Sequence, residues 1–187
     1  KNPNDGLLWV NHEYINPLFV SGYNYRDPKQ SKTQQQVDKE MYNVGGSIVR
    51  IRKEKEKWEI VHNDPHNRRI TAQTPMELNW DKPLKGKTTV KGTLANCSGG
   101  ITPWNTFLTC EENYDSYYGD TEYDENNNPI KIASRYGWDK FYDYPPEHYG
   151  WVVEIDPKGG MAKKHIALGR FAHECCTLFQ LEDNRIV

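Results

Sequence analysis

Short β-patterned stretches, each closed by Gly, Pro, Asn or Asp, recur along nearly the whole chain, whereas a helical period occurs once. That imbalance constrains the fold more than any other feature. Strands are predicted over 6–14, 47–52, 58–61, 88–95, 106–112, 150–155, 164–168 and 175–181. The helix is predicted over 31–44, where Val37, Met41 and Val44 fall at i, i+4 and i+7 and Gly45-Gly46 supplies a stop. Strands 47–52 and 58–61 read as a hairpin joined through the charged run 53–57. Asp156-Pro157-Lys158-Gly159-Gly160 and Glu182-Asp183-Asn184 read as turns. Eight strands and one short helix predict an all-β fold, and a sandwich, a barrel and a propeller all fit. The closing run from Gly150 reads as a propeller blade of four antiparallel strands, although no repeat of about 40–50 residues is visible. The segment 114–149, crowded with Tyr, Asp, Asn and Pro, shows no obvious element, which is the mark of a functional or mobile loop.

At 187 residues the chain suits one domain or part of a larger one. Lys and Arg number 24 against 26 Asp and Glu, a balance that gives no reason to expect nucleic acid or an anionic membrane as partner. Hydrophobic residues reach only 36%, but 12 Tyr and 6 Trp make a packed core feasible, because each aromatic ring buries a large area. No apolar run approaches the ~20 residues of a membrane-spanning helix. The chain starts at Lys1 and stops at Val187 in what reads as the opening of a strand. Both ends read as cut from a longer sequence, and an export signal would lie outside this one.

Familiar catalytic signatures are missing: there is no Gly-x-Ser-x-Gly, no phosphate-cradling Gly-x-x-x-x-Gly-Lys-Ser/Thr, no His-Glu-x-x-His and no EF-hand spacing. What stands out is a set of polar clusters at strand ends: Asn11-His12-Glu13, Asn96-Cys97-Ser98-Gly99-Gly100, Cys110-Glu111-Glu112-Asn113 and His173-Glu174. Strand alternation puts Glu112 on the face of Leu108 and Cys110, and a carboxylate sent inward must be paired or bind a cation. Converging carboxylates suit Ca²⁺, and a Cys97 thiolate would add a soft ligand for a transition metal. On residue types alone a second reading stands beside this one. Glu111 and Glu112 could be a solvated rim paired with Lys or Arg, and Cys97 a buried thiol before a tight turn. The four cysteines, Cys97, Cys110, Cys175 and Cys176, contain no Cys-x-x-Cys, and the plain expectation is reduced and mostly buried thiols.

Seven stretches carry a resemblance to a known family. They are Gly6-Leu-Leu-Trp-Val-Asn-His-Glu-Tyr14, Gly45-Gly-Ser-Ile-Val-Arg50 and Asn67-Arg-Arg-Ile-Thr71. Next come Gly92-Thr-Leu-Ala-Asn-Cys-Ser-Gly-Gly-Ile-Thr-Pro-Trp-Asn-Thr106 and Leu108-Thr-Cys-Glu-Glu-Asn113. The last two are Tyr149-Gly-Trp-Val-Val-Glu-Ile-Asp156 and Leu168-Gly-Arg-Phe-Ala-His-Glu174. In this collinear order the chain resembles the PhoX-type alkaline phosphatases, which are secreted and calcium-dependent.

The resemblance implies a six-bladed β-propeller, of which residues 1–187 would be the N-terminal portion, a partial set of blades. It implies iron and calcium clustered at one end of the propeller axis, hydrolysis of phosphate monoesters, and a periplasmic or extracellular location. Carried residue by residue, it makes Cys97 an iron ligand and Glu112 (or its neighbour Glu111), Glu174 and Glu13 ligands of the metals. Asn67 becomes a phosphate contact. Glu112 and Glu174 are expected to lie together on a shared cation. The partners implied are a small phosphate ester and the remaining blades. Two alternatives stand beside this function: a non-catalytic propeller segment that binds a partner through 114–149, and a related phosphodiesterase or phytase-like hydrolase.

Overall fold

The periodic stretch near residue 35 folds as expected. In the computed structural model, which describes residues 2–187, the chain opens with strand β1 (Asp5–His12) and a single helical turn, α1 (Pro17–Val20). Helix α2 (Gln34–Asn43) follows. Thr33, not Ser31, caps α2: its hydroxyl accepts from the Gln36 N–H while the Gln36 side chain accepts from the Thr33 N–H, a reciprocal capping box. Val37, Met41 and Val44 are all fully buried, as their spacing predicts. Gly45 ends the helical register by opening strand β2 (Gly45–Glu54). Its φ is +92°, and a Cβ there would stand 2.1 Å from the Ile70 carbonyl oxygen, so only glycine fits.

β1 pairs antiparallel along β2, with His12 opposite Gly45. The charged run then turns in two residues, Lys55 and Glu56, both at positive φ, into β3 (Lys57–Ile60). Strand β4 (Arg68–Ile70) pairs with β2 beyond β3 and completes a four-stranded sheet. The second sheet is assembled from distant pieces. It takes β5 (Pro75–Leu78), β6 (Thr89–Lys91) and β7 (Phe107–Cys110) before the long segment. The long segment itself contributes α3 (Asp115–Tyr118) and a hairpin, β8 (Asp120–Tyr123) with β9 (Pro129–Ile132). Strands β10 (Val152–Ile155) and β11 (Ala162–His165) then complete the second sheet in the order β6-β5-β11-β10-β7, with only β5 and β11 parallel. The chain is thus mostly β-sheet with few helices, and no closed barrel forms among the described residues.

Ile48 and Ile70 of the first sheet pack against Met76, Val153 and Ile155 of the second. Trp9 and Phe107 stack across the same seam with centroids 6.3 Å apart. Among the described residues, no helix is long and apolar enough to cross a membrane.

Three expectations need correction. Residues 175–181 do not form a strand; they contribute one isolated bridge, Gln180 to Ile186. Cys176 and Leu178 instead lie against Leu108, Cys110 and Val152, covering a sheet face where a strand would have extended its edge. No four-stranded blade is therefore built from Gly150 onward. Second, 114–149 is no free loop. Tyr117, Tyr118, Trp138 and Tyr149 are its buried contribution to the core around α2, with Tyr118 stacked on Tyr149 at 4.9 Å and Trp138 4.6 Å from Tyr117. The rings offered to a partner in the alternative reading are largely inside the fold. Third, the helix expected to stand alone is joined by α1, α3 and single turns of 3₁₀ helix.

This aromatic core carries a buried charge. Glu40 accepts from Lys32 Nζ (2.7 Å), Ser21 Oγ (2.8 Å) and Trp138 Nε1 (2.7 Å). Trp138→Ala removes both the ring and one bond to a buried carboxylate. It is expected to cost about 3–5 kcal/mol, measured as a fall in the urea midpoint.

Candidate metal centre

Three chain segments meet where β1 ends. Asn11, on the last turn of the β1 pleat, is held by Trp9 Nε1 (2.6 Å) and Thr109 Oγ1 (2.7 Å), both donating to its Oδ1. Its Nδ2 donates to the Cys97 carbonyl. The chain then leaves the strand through Glu13, whose carbonyl accepts from the Tyr117 hydroxyl (3.1 Å). The Tyr14 hydroxyl donates to Asn113 Oδ1.

The second segment is the turn at 95–99. Ala95 sits at φ +52°, a left-handed conformation that non-glycine residues seldom adopt, and it is fully buried. The turn is laid against the end of β7 by backbone bonds from Cys97 N–H to Cys110 O (2.9 Å) and from Glu112 N–H to Ala95 O (3.0 Å). A Cβ on Gly99 would stand 1.9 Å from the Leu108 oxygen, so the approach depends on glycine. A cleft of about 340 Å³, lined by Trp9, Asn11, Cys97, Ile101 and Phe107 among others, opens beside the thiol.

Glu13, Cys97 and Glu112 converge here, with one donor atom of each within 4.8 Å of the others, and all three are half-buried. Burial first, then the charges of Glu112 and Glu174, push the Glu13 carboxyl upward, against a hydrogen bond from Cys97 that pulls it down. Burial first, then the carboxylates of Glu13 and Glu112, push the Cys97 thiol up to about 11. The group is thus a neutral thiol beside two carboxyl groups, and a cation among them would favour the ionised form of each. Two carboxylates and one thiol fit a transition metal at the sulfur and a hard cation on the oxygens.

The remaining sequence-derived residues fall elsewhere. β7 ends at Cys110, and Glu111 just beyond it forms an isolated bridge to Asn96. The fully buried carboxylate is Glu111, in an ion pair with equally buried Lys164 (2.7 Å), while Glu112 is the one that turns to Glu13 and Cys97. Glu174 is exposed and stands outside the three-residue group, although its carbonyl accepts from the Ser98 N–H (2.9 Å) and its charge reaches Glu13. Asn67 is not brought to the group. Its carboxamide is consumed by the Arg50 N–H (2.7 Å) and the Val61 carbonyl (2.8 Å). Arg50 pairs with Leu7, which lies roughly 16 Å along β1 from His12 at ~3.3 Å per residue.

All four cysteines are free thiols; Cys110 is buried and Cys175 exposed. Asn11 is the site residue whose role sequence reasoning missed, because a side-chain bond to a carbonyl 86 positions away leaves no local pattern.

The model of the family described as alkaline phosphatase PhoX matches residues 1–187. No curated protein matches. Among solved structures, the chain is similar to Pseudomonas fluorescens PhoX in complex with vanadate, a transition state analogue. That match has 30% identity and a TM-score of 0.78, and it covers 98% of this chain. It covers 35% of the other chain, so the sequence spans about a third of that protein's length. A family match over the full sequence, with the same backbone course, leaves one conclusion: the chain belongs to the PhoX alkaline phosphatase family.

Proposed function

We propose that this chain contributes a metal centre for the hydrolysis of phosphate monoesters, with iron and calcium held by Cys97, Glu13 and Glu112 on the axis of a β-propeller. Its two sheets would be parts of the blades, and the protein would work in the periplasm or outside the cell. The observation that carries this reading is the convergence of one thiol and two carboxylates from segments 13, 97 and 112. The vanadate complex of the Pseudomonas fluorescens relative supports the substrate class, since vanadate there is a transition state analogue.

The chain's own residues make an anionic cradle. Empty of cations, it would repel a phosphate dianion, so its charge must be inverted before substrate can approach. Ions bound there would supply Lewis-acid neutralisation of the phosphoryl oxygens. Asn11 fixes the Cys97 backbone from one side, and the bond from Glu112 N–H to Ala95 O fixes the other. Tyr117 anchors Glu13 through its carbonyl, which leaves the carboxylate free to bind. Glu174, at the rim, is a further oxygen donor that would swing inward once a cation attracts it. The cleft beside Cys97, walled by Trp9 and Phe107, gives the leaving alcohol an apolar seat.

Two predictions follow from the donor set. Cys97→Ser is expected to lose iron and any visible absorption, measured by elemental analysis and an absorption spectrum; normal iron content would remove Cys97 from the ligand set. Calcium is expected to raise the melting temperature of the protein, by an amount equivalent to about 2.7 kcal/mol at a hundredfold excess over Kd. Glu112→Gln is expected to abolish that rise. Turnover of a monoester but not a diester would distinguish this activity from a phosphodiesterase.

A further inference from the structure

Glu111 stands next to a proposed ligand and yet points away from it. Its Oε1 accepts from Lys164 Nζ (2.7 Å), and its Oε2 accepts from the N–H groups of Gly150 (2.9 Å) and Trp151 (3.1 Å). Lys164 donates a second bond to the His148 carbonyl (2.8 Å), and its ammonium lies 4.5 Å from the Tyr149 ring centroid. Both side chains are fully buried. A buried ion pair of this kind is often no more stable than apolar residues of the same volume, so net stability is a poor account of it.

The backbone of the same residue suggests a better one. The Glu111 N–H donates to the Trp151 carbonyl (3.1 Å), and its carbonyl accepts from the His173 N–H (3.2 Å). Glu111 also forms the bridge to Asn96. Each segment that carries a metal-site carboxylate or thiol after β1 is therefore one residue from a contact of Glu111: Glu112 is its neighbour in sequence, Cys97 follows Asn96, and Glu174 follows His173.

We infer that the buried Glu111–Lys164 pair is the positioning device of the centre, setting the mutual register of Cys97, Glu112 and Glu174 and withholding Glu111 from the ligand set. Three bonds hold its carboxylate, and turning it toward a cation would strand Lys164. Glu111 and Lys164 are positioning residues, since neither touches the proposed ions or substrate. The inference rests on the proposed metal centre.

The test uses the full chain with Lys164→Met, Glu111→Gln and the two combined. Melting temperature reports folding. Calcium alone, titrated calorimetrically, reports the centre. The rate at which iodoacetamide alkylates Cys97 in chelator-treated protein, read peptide by peptide, reports the turn without any metal. Lys164→Met alone strands a buried charge and is expected to lower the melting temperature sharply. The combined variant is expected to recover most of that loss, yet bind calcium roughly 10–100-fold more weakly and alkylate at Cys97 severalfold faster. Parental calcium affinity and a parental alkylation rate in the combined variant would overturn the inference. Should that variant not fold, Glu111→Asp keeps the charge pair with a shorter reach; weakened calcium binding supports the inference and parental binding overturns it. If the parent itself binds no calcium, the proposed function fails, and the alkylation rates alone then decide the positioning role.

Discussion

The contact on which the rest of the structure depends is the seating of the 95–99 turn against the end of β7. Two backbone hydrogen bonds, Cys97 to Cys110 and Glu112 to Ala95, lock it there. They require a left-handed Ala95 and a glycine at position 99. Without this contact, Cys97 and Glu112 would share neither a direction nor a depth, and Asn11 would lose the carbonyl it holds. Strain at Ala95, of the order of 1–2 kcal/mol, is tolerated because the surrounding bonds over-determine it. Main-chain geometry thus sets where the 95–99 turn lies against β7.

The two fully buried glutamates are each matched. Glu40 has Lys32, Ser21 and Trp138; Glu111 has Lys164 and two backbone N–H groups. The half-buried group of Glu13, Cys97 and Glu112 differs, since two carboxyl groups and a thiol face one another there. Bringing like charges together without a counterion is costly. That contrast with the matched buried carboxylates supports the proposed cation site.

How much of this could be read from residues alone differs by element. Helix α2 was legible because its apolar spacing is local, although its cap is Thr33 and not Ser31. The hairpin of β2 and β3 was legible for the same reason, as were the turns at 156–160 and 182–184. The β character of 88–95, 106–112 and 150–155 was legible too, although the strands are shorter. β4 and β5 were not, since β4 is Arg-Arg-Ile and β5 opens on a proline, so neither has a strand-like composition. The segment 114–149 looked structureless because its own elements, α3 and the β8–β9 hairpin, are short and much of its order comes from rings packed around α2. At the site, the residue types Cys97, Glu112 and Glu13 were legible from clusters at strand ends. Glu112 was the expected ligand with Glu111 as its alternative, and Glu112 is the one that meets Glu13 and Cys97; the ion pair that occupies Glu111 left no local signal. Asn67 stands apart from the group, with its carboxamide bonded to Arg50 and Val61.

The parallel pairing of β5 with β11 has a consequence in time. Chain synthesis delivers Glu111 well before Lys164, which lies 53 residues later. At roughly 5–20 residues per second the delay is roughly 3–10 s. During that interval β5 has a free edge, β7 lacks β10, and the Glu111 carboxylate has no ammonium to bury itself against. The second sheet is complete only once β11 lies between β5 and β10. On the positioning role inferred for it, Lys164 would complete the proposed centre late, well after its acidic donors have been made.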